Sequence, residues 1–287
     1  MIAFATAMID PEAYRRYARP GIELAAEPTS EVIALAAVQS VCRSLNLLLD
    51  RAARLADLEA LVIVDQDAEI ADPELCTKVR AALSDPDVAL VGCTGATEAA
   101  GLAWWDGSVN SARVVHRYRE HGGGELDAHA WARTGTPPAE VETLAGFLLA
   151  LSPWAVRELR FDEALHLGVG FDLDLCRQAR EHGRTVVTAD IPVVLHRPLE
   201  LVEDHDLWIE GHIAVAEKWD RDAGEDWRAR ARRAEAERDA ARTRAYSATV
   251  LLDAQVLPLE RELEAMTSTL SWRLTAPLRR LNARRRG

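Results

Sequence analysis

Short apolar runs alternate with longer segments of helical periodicity along the first third of the chain. The apolar runs are typical of buried strands and cover residues 2–9, 31–37, 60–64 and 88–91. The segments of helical periodicity cover residues 12–19, 38–58 and 74–83. Buried strands that alternate with amphipathic helices predict an α/β fold, with a mostly parallel sheet flanked by helices.

The pattern weakens between residues 95 and 140, where glycine, tryptophan and histidine are mixed, so we expect a loop-rich excursion there, with His116, His121 and His129 in surface loops. Regular elements are predicted again at 143–151, in a helix over 172–182 and in strands within 185–195. Beyond Trp219 the chain becomes charged, alanine-rich and helical. The sequence therefore predicts an α/β domain over residues 1–218 and a helical, arginine-rich extension over residues 219–287.

Carboxylates follow two of the predicted strands at the point where each strand ends. Asp10 follows the first strand, and Asp65-Gln-Asp67 follows the strand over residues 60–64. Ligands of parallel α/β sheets bind outside the carboxyl ends of the strands, so we expect these acids to meet at one edge. Asp65 and Asp67, two residues apart in an extended segment, face the same way and suit Mg²⁺ or Mn²⁺.

Net charge divides the chain into an acidic part and a basic end. The 287 residues carry a formal charge of −12, yet the segment from Asp226 onward has 14 arginines against 8 acidic residues. The acidic part argues against nucleic-acid binding. The basic end suits peripheral contact with an anionic membrane surface, self-association or a solvated tail. With no signal peptide and no paired cysteines, we expect a cytoplasmic protein, or one at the inner face of the cell membrane.

Two later residues have both a structural and a chemical interpretation. Asp172 stands at the start of a predicted helix, where it is either an N-cap or a general base kept ionised by the helix dipole. His196 ends the last predicted strand, and a lone histidine there is more often a structural residue than a ligand.

Taken in order, these elements resemble the GT-A glycosyltransferases, in particular the family 2-like bacterial enzymes. The resemblance spans about residues 1 to 200, and the tail sequence Ser-Trp-Arg-Leu-Thr-Ala-Pro-Leu-Arg is similar to an element appended to bacterial glycosyltransferases. The motifs that carry it are Asp65-Gln-Asp67, Glu142-Thr-Leu-Ala-Gly-Phe-Leu-Leu149, Phe161-Asp-Glu163, Phe171-Asp-Leu-Asp-Leu-Cys-Arg177 and Val193-Val-Leu-His196.

The resemblance implies a donor site for a nucleotide-diphosphate sugar. Asp10 would lie near the nucleotide base, and Asp67 would ligate Mn²⁺ or Mg²⁺. Asp65 would assist the metal or the ribose. His196 would be a late ligand of the metal or the diphosphate.

The resemblance also implies an acceptor site beside a catalytic base. Asp172 would deprotonate the acceptor hydroxyl, which gives inversion at the anomeric carbon. Gly146 belongs to the segment under the acceptor. Trp104 and Trp105 either stack on an acceptor sugar or anchor the core.

Two positions depart from the family pattern, and they keep other functions open. Phe171 stands where an acid often precedes the base, and Ala145 stands where an acidic or polar residue is common. Besides a glycosyltransferase for a glycan, lipid-linked or small-molecule acceptor, a nucleotidyltransferase on a related α/β sheet is an alternative, which Phe161-Asp-Glu163 and the Asp172 element argue against. The chain could also be a degenerate GT-A domain that binds a glycan or nucleotide as a scaffold.

Overall fold

The computed structural model of the protein shows an α/β architecture. It describes residues 1–37, 40–99, 101–117, 125–127, 133–165, 168–197, 204–219, 232–242 and 261–269, with the single residues 256, 259, 272 and 275. In this part of the chain no helix combines the length and the apolar character needed to cross a membrane.

Fifteen strands occur among the described residues, and most of them are short. They are β1 (Ile2–Met8), β2 (Glu31–Ala36), β3 (Ala60–Val64), β4 (Ala68–Ile70), β5 (Val88–Gly92), β6 (Thr94–Thr97), β7 (Ser108–Ser111), β8 (Val114–Arg117), β9 (Glu125–Asp127), β10 (Arg133–Gly135), β11 (Ala139–Glu140), β12 (Thr143–Leu144), β13 (Leu148–Leu151), β14 (Thr185–Thr188) and β15 (Val193–Leu195).

The helices of the same part of the chain mostly follow the strands in alternation. They are α1 (Pro11–Ala13), α2 (Arg19–Ala25), α3 (Val41–Ala52), α4 (Leu75–Ala82), α5 (Pro153–Glu158), α6 (Phe171–Glu181) and α7 (His205–Trp219). A π-helical turn, Tyr14–Ala18, joins α1 to α2, so the first helical stretch is longer than predicted.

Local sequence explains where several helices begin. The Ser40 side chain accepts a hydrogen bond from Arg43 N, and the Ser152 side chain accepts one from Ala155 N, as N-caps do. Helix α3 is shorter than the helix predicted over residues 38–58: it starts after the Ser40 cap and ends before the turn at Asp57, whose φ is +56°. Residues 38 and 39 lie outside the described residues.

Seven strands form the central sheet in the order β11-β14-β5-β13-β3-β1-β2. Strands β2, β1 and β3 run parallel to one another, and β14 runs parallel to β5. Strand β13 runs antiparallel between β3 and β5, and β11 is antiparallel at the edge. The predicted α/β fold with a mostly parallel sheet and flanking helices is therefore confirmed.

The excursion between residues 95 and 140 contains more regular structure than the sequence indicated. Two four-stranded sheets draw on it, in the orders β10-β7-β6-β12 and β4-β15-β8-β9. The expectation of a loop-rich segment is wrong for these strands, because their three- and four-residue lengths are too short to give a clear alternating pattern. His121 and His129 lie outside the described residues.

Helix α7 is joined to α6 by a buried cluster of polar groups. Asp174 has a side chain only 1% exposed, and it accepts hydrogen bonds from Trp219 Nε1 at 2.9 Å and Gln178 Nε2 at 2.7 Å. Lys218 Nζ lies 2.8 Å from Asp174 and 2.7 Å from Asp162. The chain is thus tied to the α/β body up to Trp219, next to the predicted boundary at residue 218.

The described part of the extension is helical over residues 232–242 and 261–268. Ala236 and Ala240 are fully buried, and Arg242 lies 3.3 Å from Asp106 of the body. By contrast, Leu259 and Leu263 are exposed by 64% and 54%. The first of these helices therefore packs on protein, whereas the second presents apolar side chains to the surroundings.

Replacing Asp174 by alanine is expected to lower the free energy of unfolding by about 2–3 kcal/mol, since Trp219 and Gln178 lose a charged hydrogen-bond acceptor. Urea denaturation checks this value. The control is Asp50→Ala, which removes an ion pair whose carboxylate is 53% exposed and is expected to cost less than about 0.5 kcal/mol. Equal effects of the two substitutions would show that the cluster does not hold α7 to the body.

Candidate active site

A cavity of about 480 Å³ opens at the carboxyl ends of β1 and β3. The cavity is lined by Ala7 near the end of β1, by Val64 at the end of β3 and by the residues that follow Val64. Its charged and polar lining residues include Asp65, Gln66, Asp67, His116, Asp172, Arg197 and Asp204. The carboxylate pair and the helix-start acid predicted from the sequence therefore share one cavity.

The acid pair binds an arginine that the sequence analysis did not single out. Arg197 donates from Nε to Asp67 Oδ2 at 2.7 Å and from a terminal nitrogen to Asp65 Oδ2. The positions follow from strand pairing: β15 runs antiparallel to β4 with Leu195 opposite Ala68, and His196 N donates to Asp67 O at 2.9 Å. The chain beyond β15 thus returns alongside the acid pair.

Burial and the opposite charge of the partner shift the pKa values of Asp65 and Arg197 in opposite directions. Burial raises the pKa of Asp65, Arg197 opposes that rise, and the neighbouring charge of Asp67 adds to it. Burial also disfavours the charged form of Arg197, but Asp65 and Asp67 outweigh it and raise the pKa of Arg197. The guanidinium is therefore always charged, and it neutralises part of the charge of the pair.

The acid pair also fits a divalent cation, provided that the cation brings further oxygen ligands. Asp67 Oδ1 is buried and has no hydrogen-bond partner among the described residues. Within the same residues, no group of three or more His, Cys, Asp and Glu side chains is placed to hold a metal. Mg²⁺-type sites commonly use one or two carboxylates and complete their shell with water and substrate phosphates.

Gln66, between the two acids, fixes the end of β1 against the end of β3. Its Oε1 accepts hydrogen bonds from Ile9 N and from Asp10 N, both at 2.7 Å. Asp10 therefore reaches the same sheet edge, as predicted. Its own carboxylate caps α1 by accepting from Glu12 N at 2.8 Å and Ala13 N at 3.3 Å. The contact with a nucleotide base predicted for Asp10 stays a prediction.

Asp172 meets the loop that leads into β13. Its Oδ2 accepts from Gly146 N at 2.9 Å, and its Oδ1 accepts from Leu173 N at 2.9 Å. The N-cap of α6 is Gly170, with φ of +79°, so Asp172 is not the cap. Burial raises the pKa of Asp172, and the backbone hydrogen bonds and the charge of Arg197 oppose the rise.

Gly146 leaves room for this carboxylate. A side chain at this position would place its Cβ 2.8 Å from the Phe171 ring and 3.1 Å from Asp172 Oδ2. The glycine is therefore required by close approach. The predicted role of Gly146 in acceptor binding stays a prediction.

Tryptophans form one wall of the cavity. Trp104 and Trp105 both line it, yet they are only 7% and 5% exposed. Their rings meet edge to face at 5.7 Å, and Trp105 packs on Trp208 at 5.2 Å. The two indoles are thus core anchors that also border the cavity. Stacking on an acceptor sugar stays a prediction.

His196 lies next to the acid pair along the backbone, but its ring is engaged elsewhere. Its Nε2 lies 2.6 Å from Glu69 Oε2, and the ring stacks on Tyr17 with centroids 3.9 Å apart. It does not line the cavity, whereas the next residue, Arg197, does. The role of His196 as a ligand of metal or diphosphate stays a prediction.

Three cavity residues escaped the sequence analysis. Arg197 directly follows the strand-end histidine, and a basic residue at that point was a usable signal. Gln66 was passed over because it is uncharged, and Trp208 because it lies in a separate helix. His116, interpreted from sequence as one of several histidines in a surface loop, is 5% exposed and its Nε2 contacts the carbonyl oxygen of Arg197.

Comparisons with known proteins find similarity to glycosyltransferases. Among solved structures, the mannosyltransferase PcManGT from Pyrobaculum calidifontis, in complex with GDP-Man and Mn²⁺, is 15% identical, with a TM-score of 0.47 over 98% of this chain and 86% of that one. GalNAc-T7 with UDP, GalNAc and Mn²⁺ is 12% identical, with a TM-score of 0.49 over 76% of this chain and 48% of that one. Both scores lie below 0.5.

A curated relative is the streptomycin biosynthesis protein StrF from Streptomyces griseus. It is 25% identical to this chain over 203 residues, which are 68% of this chain and 66% of StrF. The chain thus spans about two thirds of the length of this relative. No protein-family model matches the chain.

Substituting Gly146 by alanine is expected to destabilise the protein by about 1–3 kcal/mol, because the new methyl group overpacks against Phe171 and Asp172. Chemical denaturation measures the cost. In a Phe171→Leu background, which removes the ring that the methyl group meets, the same substitution is expected to cost less. An equal cost in both backgrounds would show that this contact does not set the loop position.

Proposed function

We propose that this protein is a metal-dependent, inverting glycosyltransferase that moves a sugar from a nucleotide-diphosphate donor to an acceptor hydroxyl. The observation that carries the proposal is the convergence of Asp65, Asp67 and Asp172 on one cavity at the carboxyl ends of β1 and β3. Such a transfer needs a group that holds a cation and a separate group that accepts a proton, and an acid pair and a further, half-buried carboxylate can supply these two functions.

The acid pair would hold the cation and, through it, the diphosphate. Asp67 has a free buried carboxylate oxygen and would be the main ligand, with Asp65 in support of the metal or the ribose. Mn²⁺ or Mg²⁺, when bound, neutralises the charge that develops on the leaving diphosphate. Arg197, which already binds both acids, is a further positive charge at the same place.

Asp172 would act as the base on the acceptor side. Backbone N–H groups of Gly146 and Leu173 orient its two oxygens, so the carboxylate has a fixed direction at the start of α6. It would take the proton of the acceptor hydroxyl as that oxygen forms its bond to the anomeric carbon and the bond to the diphosphate breaks. Attack opposite the leaving group inverts the configuration.

The acceptor, the partners and the location are further parts of the proposal. Trp104 and Trp105 border the cavity and suit stacking on a glycan, lipid-linked or small-molecule acceptor. The extension over residues 219–287 would make a peripheral contact with an anionic membrane or with a second copy. The exposed Leu259, Leu263 and Met266 suit either one. Such contacts would place the protein in the cytoplasm, at the inner face of the cell membrane.

One observation favours a second function, that of a non-catalytic scaffold built on the same fold. Arg197 already forms an ion pair with both members of the acid pair. In a scaffold, this ion network would only stabilise the loop, and the cavity would bind a glycan or nucleotide without turnover.

Calorimetry with a panel of nucleoside diphosphates, with and without Mn²⁺, tests the donor site. One nucleotide is expected to bind in the presence of Mn²⁺ and to lose at least about tenfold in affinity in Asp67→Ala, because the diphosphate loses its metal bridge. The matched control is Asp50→Ala, whose carboxylate is 53% exposed and lies outside the cavity, and it should leave the nucleotide affinity unchanged. If the folded wild-type protein binds none of the nucleotides, the scaffold becomes the better account.

The substitution Asp172→Asn distinguishes the glycosyltransferase hypothesis from the scaffold hypothesis. With the donor and acceptor identified, turnover is expected to fall by about 10²-fold or more, while nucleotide affinity remains within about twofold. Because burial raises the pKa of Asp172, the wild-type activity should be present above that pKa and lost as the pH falls through it. The acid limb of kcat/KM should therefore lie above the usual aspartate value of about 4. Unchanged turnover in the variant would remove Asp172 from the reaction.

A further inference from the structure

Arg197 stands where a cation bound to the acid pair would stand. Its guanidinium donates to Asp65 Oδ2 and to Asp67 Oδ2, one oxygen from each carboxylate. The side chain is 37% exposed, and Arg197 lines the cavity. The acid pair is thus already occupied by a positive charge that belongs to the chain.

The backbone around Arg197 is fixed, so only its side chain is free to move. On one side, His196 N donates to Asp67 O at 2.9 Å. On the other, His116 Nε2 contacts the carbonyl oxygen of Arg197, and β15 pairs with both β4 and β8. Rotation about the side-chain bonds can therefore withdraw the guanidinium and leave the strand pairing intact.

A divalent ion at the acid pair and the guanidinium of Arg197 compete for the same negative charge. Asp67 Oδ1 is buried and has no hydrogen-bond partner among the described residues, so it is the oxygen most available to an ion. Asp65 Oδ1 accepts from Gln66 N, and both Oδ2 atoms accept from Arg197, so a second ligand from the pair has to come from an oxygen already in use. Two positive groups about 4 Å apart also repel each other in a partly enclosed site. A metal that uses both carboxylates is therefore expected to move Arg197 away from at least one of them.

We propose that Arg197 is an internal competitor of the metal at the Asp65–Asp67 pair and is displaced when the metal binds. This inference rests on the metal-dependent donor site of the proposed function and adds its regulation. A displaced guanidinium at the cavity wall needs an anion, and a phosphate is its best partner. The metal would therefore bind weakly alone and tightly when a diphosphate arrives with it.

The decisive measurement is the affinity for Mn²⁺ alone, without nucleotide, by calorimetry. Arg197→Gln removes the charge and retains an amide donor, and it is expected to bind Mn²⁺ about tenfold or more tightly than the wild type does. Arg197→Lys keeps the charge and is expected to stay within about threefold of the wild type, since a point charge still opposes the ion. Adding Asp67→Ala to Arg197→Gln should abolish the gain.

Arg80 provides a matched control on the opposite end of the sheet. It also bridges two acids, with both terminal nitrogens on Glu27 and its Nε on Glu59. Arg80→Gln frees a carboxylate pair outside the cavity, so it should not increase Mn²⁺ affinity. A similar gain in both variants would show a non-specific effect of removing an arginine and would overturn the proposal.

If Arg197→Gln is less stable than the wild type, thermal unfolding provides a second measurement. Mn²⁺ should then raise the Tm of the variant by more than it raises the Tm of the wild type. Equal Mn²⁺ affinity in the wild type and Arg197→Gln would overturn the competition and leave the metal site standing. Absence of Mn²⁺ binding in both, even with nucleoside diphosphate present, would overturn the metal dependence as well.

Discussion

The antiparallel pairing of β13 with its two neighbours, β3 and β5, is the constraint on which the rest of the cavity depends. The ladder between β13 and β3 continues past the strand, where Asp65 N donates to Phe147 O at 3.0 Å. The loop before β13 is thereby brought to the edge where β3 ends. Gly146 in that loop donates to Asp172, so one strand reversal brings Asp172 into the cavity that the acid pair lines.

The charges at this edge are stable only as a connected set. Asp65, Asp67 and Arg197 are two acids and one base in a partly enclosed site, and removal of Arg197 would leave two partly buried carboxylates without their counter-ion. Asp172 is satisfied in a different way, by two backbone N–H groups, and within the described part of the chain it has no direct ion pair. The same edge therefore carries one pair of carboxylates bound to a cationic side chain and a single carboxylate bound to the backbone.

The sequence was informative where the chemistry coincides with a strong local pattern. The apolar runs ending at Val64 and near Met8 predicted strands, and the acids behind them were correctly expected to share an edge. Asp172 could be assigned to the first turn of a helix, but its contact with Gly146 N joins residues 26 positions apart and has no local signature.

Other features depend on tertiary contacts that cannot be predicted from the hydrophobic periodicity of the sequence. Arg197 reaches the acid pair only because β15 pairs with β4, and each of these strands has three residues. The strands between residues 95 and 140 are equally short, and His116 within them is buried although histidine there suggested a surface. Asp10 was predicted at the correct edge, yet its role as the cap of α1 follows from the geometry of the turn.

The side chain of Gln66 connects the segment that carries the acid pair to the backbone at the end of β1. Its side-chain oxygen accepts hydrogen bonds from the backbone N–H groups of Ile9 and Asp10, and so extends the hydrogen bonding between the two chain segments beyond the ends of β1 and β3. Ile9 lines the cavity, whereas Asp65 and Asp67 flank the glutamine. Any displacement of the loop at Ile9 would have to break these two hydrogen bonds, so the position between the two acids holds the loop after β1 in place.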